Sequence, residues 1–286
     1  MIKICRTIKT LILEFIAGNG SSHVREIHLS VSEFRPEVPQ HTIRARLSEM
    51  SRSQNLEEKL SAFGNGFYGL YEENKDLYSV ISYPDRGPWG DPKYRGNCSG
   101  WLAKDLILRF HSQSVFDPAE GSGTIRDVVQ GINKFCQKSI HYEGRDLNQG
   151  WDILSSPMPE KQFDMVWYHP PYWDIIRYSN DGRDLSNCAE LENFEAKLNQ
   201  SVERLMQAVR PGGIMAILIG DKRRSGFYYA LMRTLLINPN VGELKAIIIK
   251  IQHNCQSDRR EYATNPFLIP IRHEYCLVYQ KPISGT

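Results

Sequence analysis

No apolar run in this chain approaches the ~18 residues that a membrane-spanning helix needs, so a transmembrane segment is excluded. The N-terminus has a basic front and an apolar middle, superficially like a signal peptide. Lys9 and Glu14 interrupt it at helical spacing, so an amphipathic helix is expected instead. No Cys-x-x-Cys occurs. The 6 cysteines (Cys5, Cys98, Cys136, Cys188, Cys255 and Cys276) are scattered, which excludes a disulfide framework and suits a reducing, cytoplasmic setting. His253 and His273 lie near Cys255 and Cys276 without a second pair, so no metal site is expected. A Walker sequence and a Gly-x-Ser-x-Gly elbow are missing, leaving NTPase and hydrolase readings without support. Net charge is small: 35 Lys+Arg against 33 Asp+Glu give +2. Nucleic-acid binding must then come from local basic patches.

What is present is a composition that can form a core, with 41% hydrophobic and 24% charged residues in 286. Three segments are expected: a small unit over 1–75, a linker over 76–93 and a large domain over 94–286. In the first, Ile8, Leu11, Ile12, Phe15 and Ile16 recur at helical spacing. Ser21-Ser22 is placed to cap a second helix over about 23–34, and a third follows Pro39 to about Ser53. Two short strands around Gly64-Asn65-Gly66 complete the unit. Three helices and a hairpin resemble a winged helix-turn-helix, with Arg44, Arg46 and Arg52 on the groove-reading helix. The linker carries Tyr83 and Trp89, which need something to pack on.

The large domain alternates strands and helices: a helix from Trp101, a strand at Ser114–Phe116, a helix over Thr124–Phe135, and strands at Lys138–Tyr142 and Phe163–Tyr168. A long helix over Glu190–Val209 leads to an Arg210-Pro211-Gly212-Gly213 turn. Apolar strands are expected at Ile214–Gly220, Leu244–Ile251 and Tyr275–Gln280. This pattern predicts a doubly wound, mostly parallel α/β sheet.

Two stretches carry chemistry. Asp117-Pro118-Ala119-Glu120-Gly121-Ser122-Gly123-Thr124 follows a strand and opens a helix. Its glycines let backbone turn close to a ligand. Its two carboxylates would repel a pyrophosphate, which argues against NAD or ATP and for S-adenosylmethionine, whose sulfonium and ammonium are positive. His169-Pro170-Pro171-Tyr172 ends an apolar strand. Its prolines fix the backbone and leave the Pro170 carbonyl outside any ladder. An acceptor side chain, a rigid carbonyl and the flat ring of Tyr172 suit a planar base bearing an exocyclic amine.

These stretches resemble motifs I and IV of the amino-methyltransferases that modify DNA at adenine N6 or cytosine N4. Arg95-Gly96-Asn97-Cys98-Ser99, before the helix from Trp101, resembles their motif X. The resemblance spans roughly 94–282 and implies a Rossmann-like class I methyltransferase sheet, S-adenosylmethionine as cofactor and double-stranded DNA as partner. Arg95, Asn97 and Ser99 would help hold the cofactor, Asp146 (with Glu143 as its rival) would meet the ribose, and Asp152 the adenine amine. The family has Asp, Asn or Ser where this chain has His169. A neutral imidazole nitrogen accepts a hydrogen bond and a protonated one does not, so activity is expected to fall at acidic pH. Adenine N6 is the expected target. Cytosine N4, suggested by the Pro-Pro-Tyr-Trp continuation, and an RNA amine are the alternatives. Lys222, Arg223 and Arg224, with Arg259 and Arg260, are the candidate phosphate contacts of this domain. A homodimer is left open.

Overall fold

In this computed structural model the described residues are 7–19, 22–53, 60–64, 67–70, 77–135, 138–253 and 267–283. The N-terminal unit contains α1 (Ile8–Asn19), β1 (Ser22–His23), α2 (Val24–Phe34), α3 (Gln40–Ser51), β2 (Leu60–Gly64) and β3 (Phe67–Leu70). Its strands form an antiparallel sheet in the order β1-β3-β2. Ile12, Ile16, Ile27, Ile43, Leu47 and Met50 are buried together, with Ile12 and Ile16 where the helical spacing of the first helix puts them. The cap of α2 differs from expectation. Ser22 lies in β1, and His23 closes a capping box: its Nδ1 accepts from the Arg25 N–H at 3.1 Å, and Glu26 accepts from the His23 N–H at 2.8 Å.

The rest of the chain builds one large sheet. Its elements are β4 (Val80–Ser82), α4 (Gly100–Arg109), β5 (Ser114–Asp117), α5 (Thr124–Phe135), β6 (His141–Gly144), β7 (Phe163–Tyr168), α6 (Leu191–Ala208), β8 (Val209–Gly220), β9 (Lys222–Arg224), β10 (Phe227–Tyr229), α7 (Arg233–Leu236), β11 (Glu243–Ile251) and β12 (His273–Gln280). Seven strands pair in the order β4-β11-β12-β8-β7-β5-β6. Only β12 runs against its neighbours; the others share one direction. Side chains alternate between the faces. Met215, Ile217 and Ile219 pack with α6, while Ile214, Ala216 and Leu218 pack with α4 and α5. Helices on both faces make the sheet doubly wound. The two units touch where β2 lies against α5. Among the described residues no helix is long and apolar enough to cross a membrane.

Three expectations change. The segment read as a linker supplies β4, which pairs in parallel with Ile249–Ile251 at the sheet edge. It is also clamped to α4, with Trp89 edge-on to Trp101 at 4.7 Å and the Tyr83 hydroxyl donating to Asp105 at 2.5 Å. The strand expected over 138–142 begins at His141, because the Asn133 side chain takes both backbone groups of Ile140, at 2.7 and 2.8 Å. Arg210–Gly213 is no terminal turn. It bulges out of β8 between the pairs Phe163↔Val209 and Met165↔Ile214.

The chain leaves β5 toward one edge to form β6, then returns to β7 on the other side. The crossovers diverge between β5 and β7, which opens a crevice at their carboxyl ends.

A candidate active site between the ends of β5 and β7

The loop after β5 turns on Gly121 and Gly123, whose φ values are 51° and 80°. It is tied to the segment after β6. Arg145 N–H donates to the Asp117 carbonyl at 2.9 Å, Glu120 N–H donates to the Arg145 carbonyl at 3.0 Å, and Asp146 accepts from Gly121 N–H at 3.0 Å. Glu120 is engaged by Arg126 at 3.1 Å and by Gln149 at 2.9 Å. Asp117 is different. It is 2% exposed, accepts from Ala119 N–H at 3.2 Å, and has no paired cation among the described residues. Burial pushes its carboxyl up to about 8, against the Ala119 hydrogen bond and with help from the Glu120 charge. In the same loop, the Ser122 hydroxyl, near the Thr124 and Asn97 side chains, is buried and has no hydrogen-bond partner among the described residues.

Asp117, Pro118, Ala119, Glu120, Gly121, Ser122 and Thr124 line an open cleft with about 960 Å³ of empty space. Its other wall comes from the end of β7, through Tyr168, His169 and Pro171. The two stretches singled out by sequence therefore meet across one crevice.

Behind His169 runs a chain of hydrogen bonds. His169 Nε2 is 2.9 Å from the Tyr172 hydroxyl, which donates to Glu274 at 2.7 Å; Lys250 Nζ donates to the other Glu274 oxygen at 2.6 Å. Lys250, Glu274 and Gly220 are cross-strand neighbours on β11, β12 and β8. Gly220 sits under the Tyr172 ring, where a Cβ would stand 2.6 Å from Cε2. Burial pulls the His169 imidazole down to about 4, with Glu274 opposing and Lys250 assisting. The expected loss of a neutral acceptor therefore moves well below the ordinary histidine range. Tyr172 also departs from expectation. Its hydroxyl points into the protein toward Glu274, and the ring does not line the cleft beside Asp117.

The remaining candidates divide. Asn97, Asp146 and Asp152 line the cleft. Asn97 accepts from the Thr124 hydroxyl, and Asp152 is held by Leu154 N–H at 3.0 Å and by the Ser155 hydroxyl at 2.6 Å. Gly123 shapes the loop without lining the cleft, and Glu143 pairs with Arg145 at 2.8 Å. Arg95 is exposed and outside the lining. Ser99 is the N-cap of α4, accepting from Trp101 N–H at 3.4 Å, so its hydroxyl serves the helix and not the cleft.

Arg44 on α3 and Arg52 at its C-cap are exposed, whereas Arg46 pairs with Glu49 at 2.5 Å. Lys222 is buried, paired with Asp174 and 4.2 Å over the Trp173 ring, so it braces the turn after β7 and does not reach outward. Arg223 and Arg224 stand on the β9–β10 hairpin beside exposed Phe227. Arg259 and Arg260 lie outside the described residues.

The polar stretch from Arg177 to Glu190, placed by the sequence to order over a flipped base, supplies further lining residues. Tyr178, Ser179, Arg183 and Asp184 bring the loop after the turn onto the cleft, with Tyr178 stacked on Tyr94 at 6.1 Å. Asp184 holds this loop by accepting from the Ser179 N–H and hydroxyl, both at 2.9 Å.

No family model matches the chain, and no curated protein does. Solved structures resemble it in fold. A Thermus thermophilus protein carrying the name DNA modification methylase is 17% identical over 59% of this chain and 53% of its own, with a TM-score of 0.33. A Listeria monocytogenes protein described as a class I S-adenosylmethionine-dependent methyltransferase is 14% identical over 65% of this chain and 60% of its own, with a TM-score of 0.39. The N-methyltransferase NodS of Bradyrhizobium japonicum is 13% identical over 64% and 96%, with a TM-score of 0.33. The chain thus spans little more than half the length of the first two. Likenesses of this size leave the chemistry to the site.

Proposed function

We propose that this chain is an S-adenosylmethionine-dependent methyltransferase acting on the exocyclic amine of a nucleic-acid base. DNA is the favoured substrate and adenine N6 the expected atom. The carrying observation is one cleft lined on one side by the buried Asp117 and on the other by His169 and Pro171, at the sheet's switch point; Pro170 between them is buried and outside the lining.

The cofactor fits the first wall. Among the described residues Asp117 is a buried acid without a paired cation and the Ser122 hydroxyl has no hydrogen-bond partner, and the Gly121–Gly123 backbone allows close approach. Asp117, Ser122 and Asn97 would hold its charged end, with Asp146 and Asp152 further along the cleft. When bound, S-adenosylmethionine supplies an electrophilic methyl on a sulfonium.

The second wall handles the amine. A duplex base presents its amine edge-on and paired, so it must leave the stack to reach the cleft. His169 Nδ1 and the Pro170 carbonyl accept no hydrogen bond among the described residues; His169 lines the cleft and would accept one amine hydrogen, while Pro170 is buried just behind the lining and its carbonyl would accept the other only from a base seated deep against the turn. Accepting them draws the nitrogen lone pair out of ring conjugation and aims it. Catalysis is then positioning plus a preorganised polar pocket. The N-terminal unit would read the duplex. Its order α-β-α-α-β-β with an antiparallel sheet supports a winged-helix reading, in which α3 with Arg44, and Arg52 at its C-cap, would be the element for the major groove. Arg223 and Arg224 would contact phosphates nearer the cleft.

The test is transfer of tritiated methyl to unmethylated genomic DNA, followed by nucleoside mass spectrometry. N6-methyladenine is the expected product. N4-methylcytosine would reassign the base, and label in RNA alone would reassign the substrate. Cofactor binding without transfer to any nucleic acid would overturn the proposal.

A further inference from the structure

We propose that Glu274, with Lys250 behind it, is a positioning residue that fixes the tautomer of His169 through Tyr172 and so keeps Nδ1 an acceptor. The proposal rests on the methyltransferase reading for its purpose, but not for its geometry.

The geometry leaves one arrangement of protons. Lys250 has only donors, and its ammonium occupies one oxygen of Glu274 at 2.6 Å. Burial alone raises the Glu274 carboxyl; the Lys250 charge, with the hydrogen bonds from Lys250 and the Tyr172 hydroxyl, outweighs it and holds Glu274 ionised. An ionised carboxylate only accepts, so the Tyr172 hydroxyl spends its proton on Glu274 at 2.7 Å. The Tyr172 oxygen then has only lone pairs left for His169, 2.9 Å away. Nε2 must therefore carry the imidazole proton. Nδ1 is left bare, and it has no protein partner among the described residues, on a ring that lines the cleft. A carboxylate at position 169 would accept a hydrogen bond whatever stood behind it. A histidine accepts only when its proton is held elsewhere, and the row across β11 and β12 holds it there.

Glu274→Gln inverts the chain. The Lys250 ammonium claims the amide oxygen, which turns the NH₂ toward Tyr172. The Tyr172 oxygen must now accept, its hydroxyl donates to His169 Nε2, and the imidazole proton moves to Nδ1. That nitrogen then points a donor at the amine it should receive.

The experiment uses the full chain labelled with ¹⁵N-histidine, with His169 assigned by its disappearance in His169→Asn. The wild type should show the Nε2–H tautomer, and Glu274→Gln the Nδ1–H tautomer. Methyl transfer by Glu274→Gln should fall about 10²-fold in kcat with KM for the nucleic acid unchanged. In a His169→Asn background, whose amide oxygen accepts without a tautomer, Glu274→Gln should cost little further. An unchanged tautomer in Glu274→Gln would overturn the proposal. So would an equal loss in both backgrounds, because Glu274 would then support only the fold. If the tautomer switches while no variant, wild type included, methylates any nucleic acid, the relay stands and the methyltransferase reading falls.

Discussion

Asp117 at the end of β5 and Glu274 on β12 are both buried acids, 2% and 7% exposed, yet their protons behave in opposite ways. Asp117 is pushed up to about 8 by burial, while Glu274 is held below the ordinary carboxylate value. The difference lies in what each acid faces. Glu274 has Lys250, Tyr172 and His169 around it, so its charge is settled within the protein. Asp117 has backbone, the Tyr142 hydroxyl, a neighbouring acid and an open cleft, and no cation among the described residues. Burial alone does not set the state of a carboxyl; the partner does. One wall of the cleft thus waits for a cation from outside, and the other is complete without a ligand.

The sharpest way to break this contrast is to remove what the completed wall presents. His169→Ala deletes the amine acceptor and should lower kcat about 10³-fold while leaving cofactor affinity intact. Steady-state kinetics with a calorimetric Kd checks both. Loss of cofactor binding would mean that the walls are not separate.

Asp117→Asn attacks the open wall. It removes the charge meant for the cationic cofactor and should weaken binding by about 2 kcal/mol, about 30-fold. The pH dependence has a definite sign. Below about 8 the unliganded Asp117 carboxyl holds a proton that a cationic ligand must expel. Cofactor affinity should then rise as pH is raised from about 6 to about 8, with proton release on binding, and Asp117→Asn should lack that component. The same shift acts on stability. The unfolded chain gives up this proton first, so the unliganded protein should lose stability as pH climbs from the ordinary carboxylate range toward about 8. Thermal melts with and without cofactor across that range read it directly.

Gly220→Ala tests the packing under the completed wall. Its Cβ would stand 2.6 Å from the Tyr172 ring, so the ring must move off Glu274 or the strand must strain. A stability loss of about 2 kcal/mol is expected, together with the kcat loss of Glu274→Gln. A stable variant with full activity would show that the position of Tyr172 is not what holds His169.

The same contrast explains what could be read from the sequence. The Asp117–Thr124 loop and the His169–Tyr172 turn are contiguous, and their types announce their work: glycines for close approach, prolines for a fixed carbonyl. The row behind His169 is built from three strands. Tyr172 and Glu274 are 102 positions apart, and they meet only because the turn after β7 folds over Gly220, the cross-strand neighbour of Glu274. Lys250 and Glu274 did leave a trace, as charges flanking the apolar runs Ala246–Ile249 and Tyr275–Tyr279. Which charge opposes which depends on strand pairing, which no local pattern carries. Strand β4 was missed for a related reason: three residues beside a Pro-rich stretch are no signal until β11 offers an edge. Strand β6 was misplaced because a helix side chain competes for the backbone of Ile140.

Ser99 shows that neighbours in sequence need not share a task. Its place between Asn97 and Gly100 made it a cofactor candidate, and Asn97 does line the cleft. The Ser99 hydroxyl instead accepts the Trp101 N–H that opens α4. Ser99→Ala leaves that N–H unsatisfied in a buried position, which should cost about 1 kcal/mol of stability. Because no part of Ser99 lines the cleft, the cofactor Kd and kcat should stay at wild-type values at temperatures where the variant is folded. Denaturant titration beside calorimetry separates the two effects. A weakened Kd at unchanged stability would return Ser99 to the cofactor and extend the open wall to the start of α4.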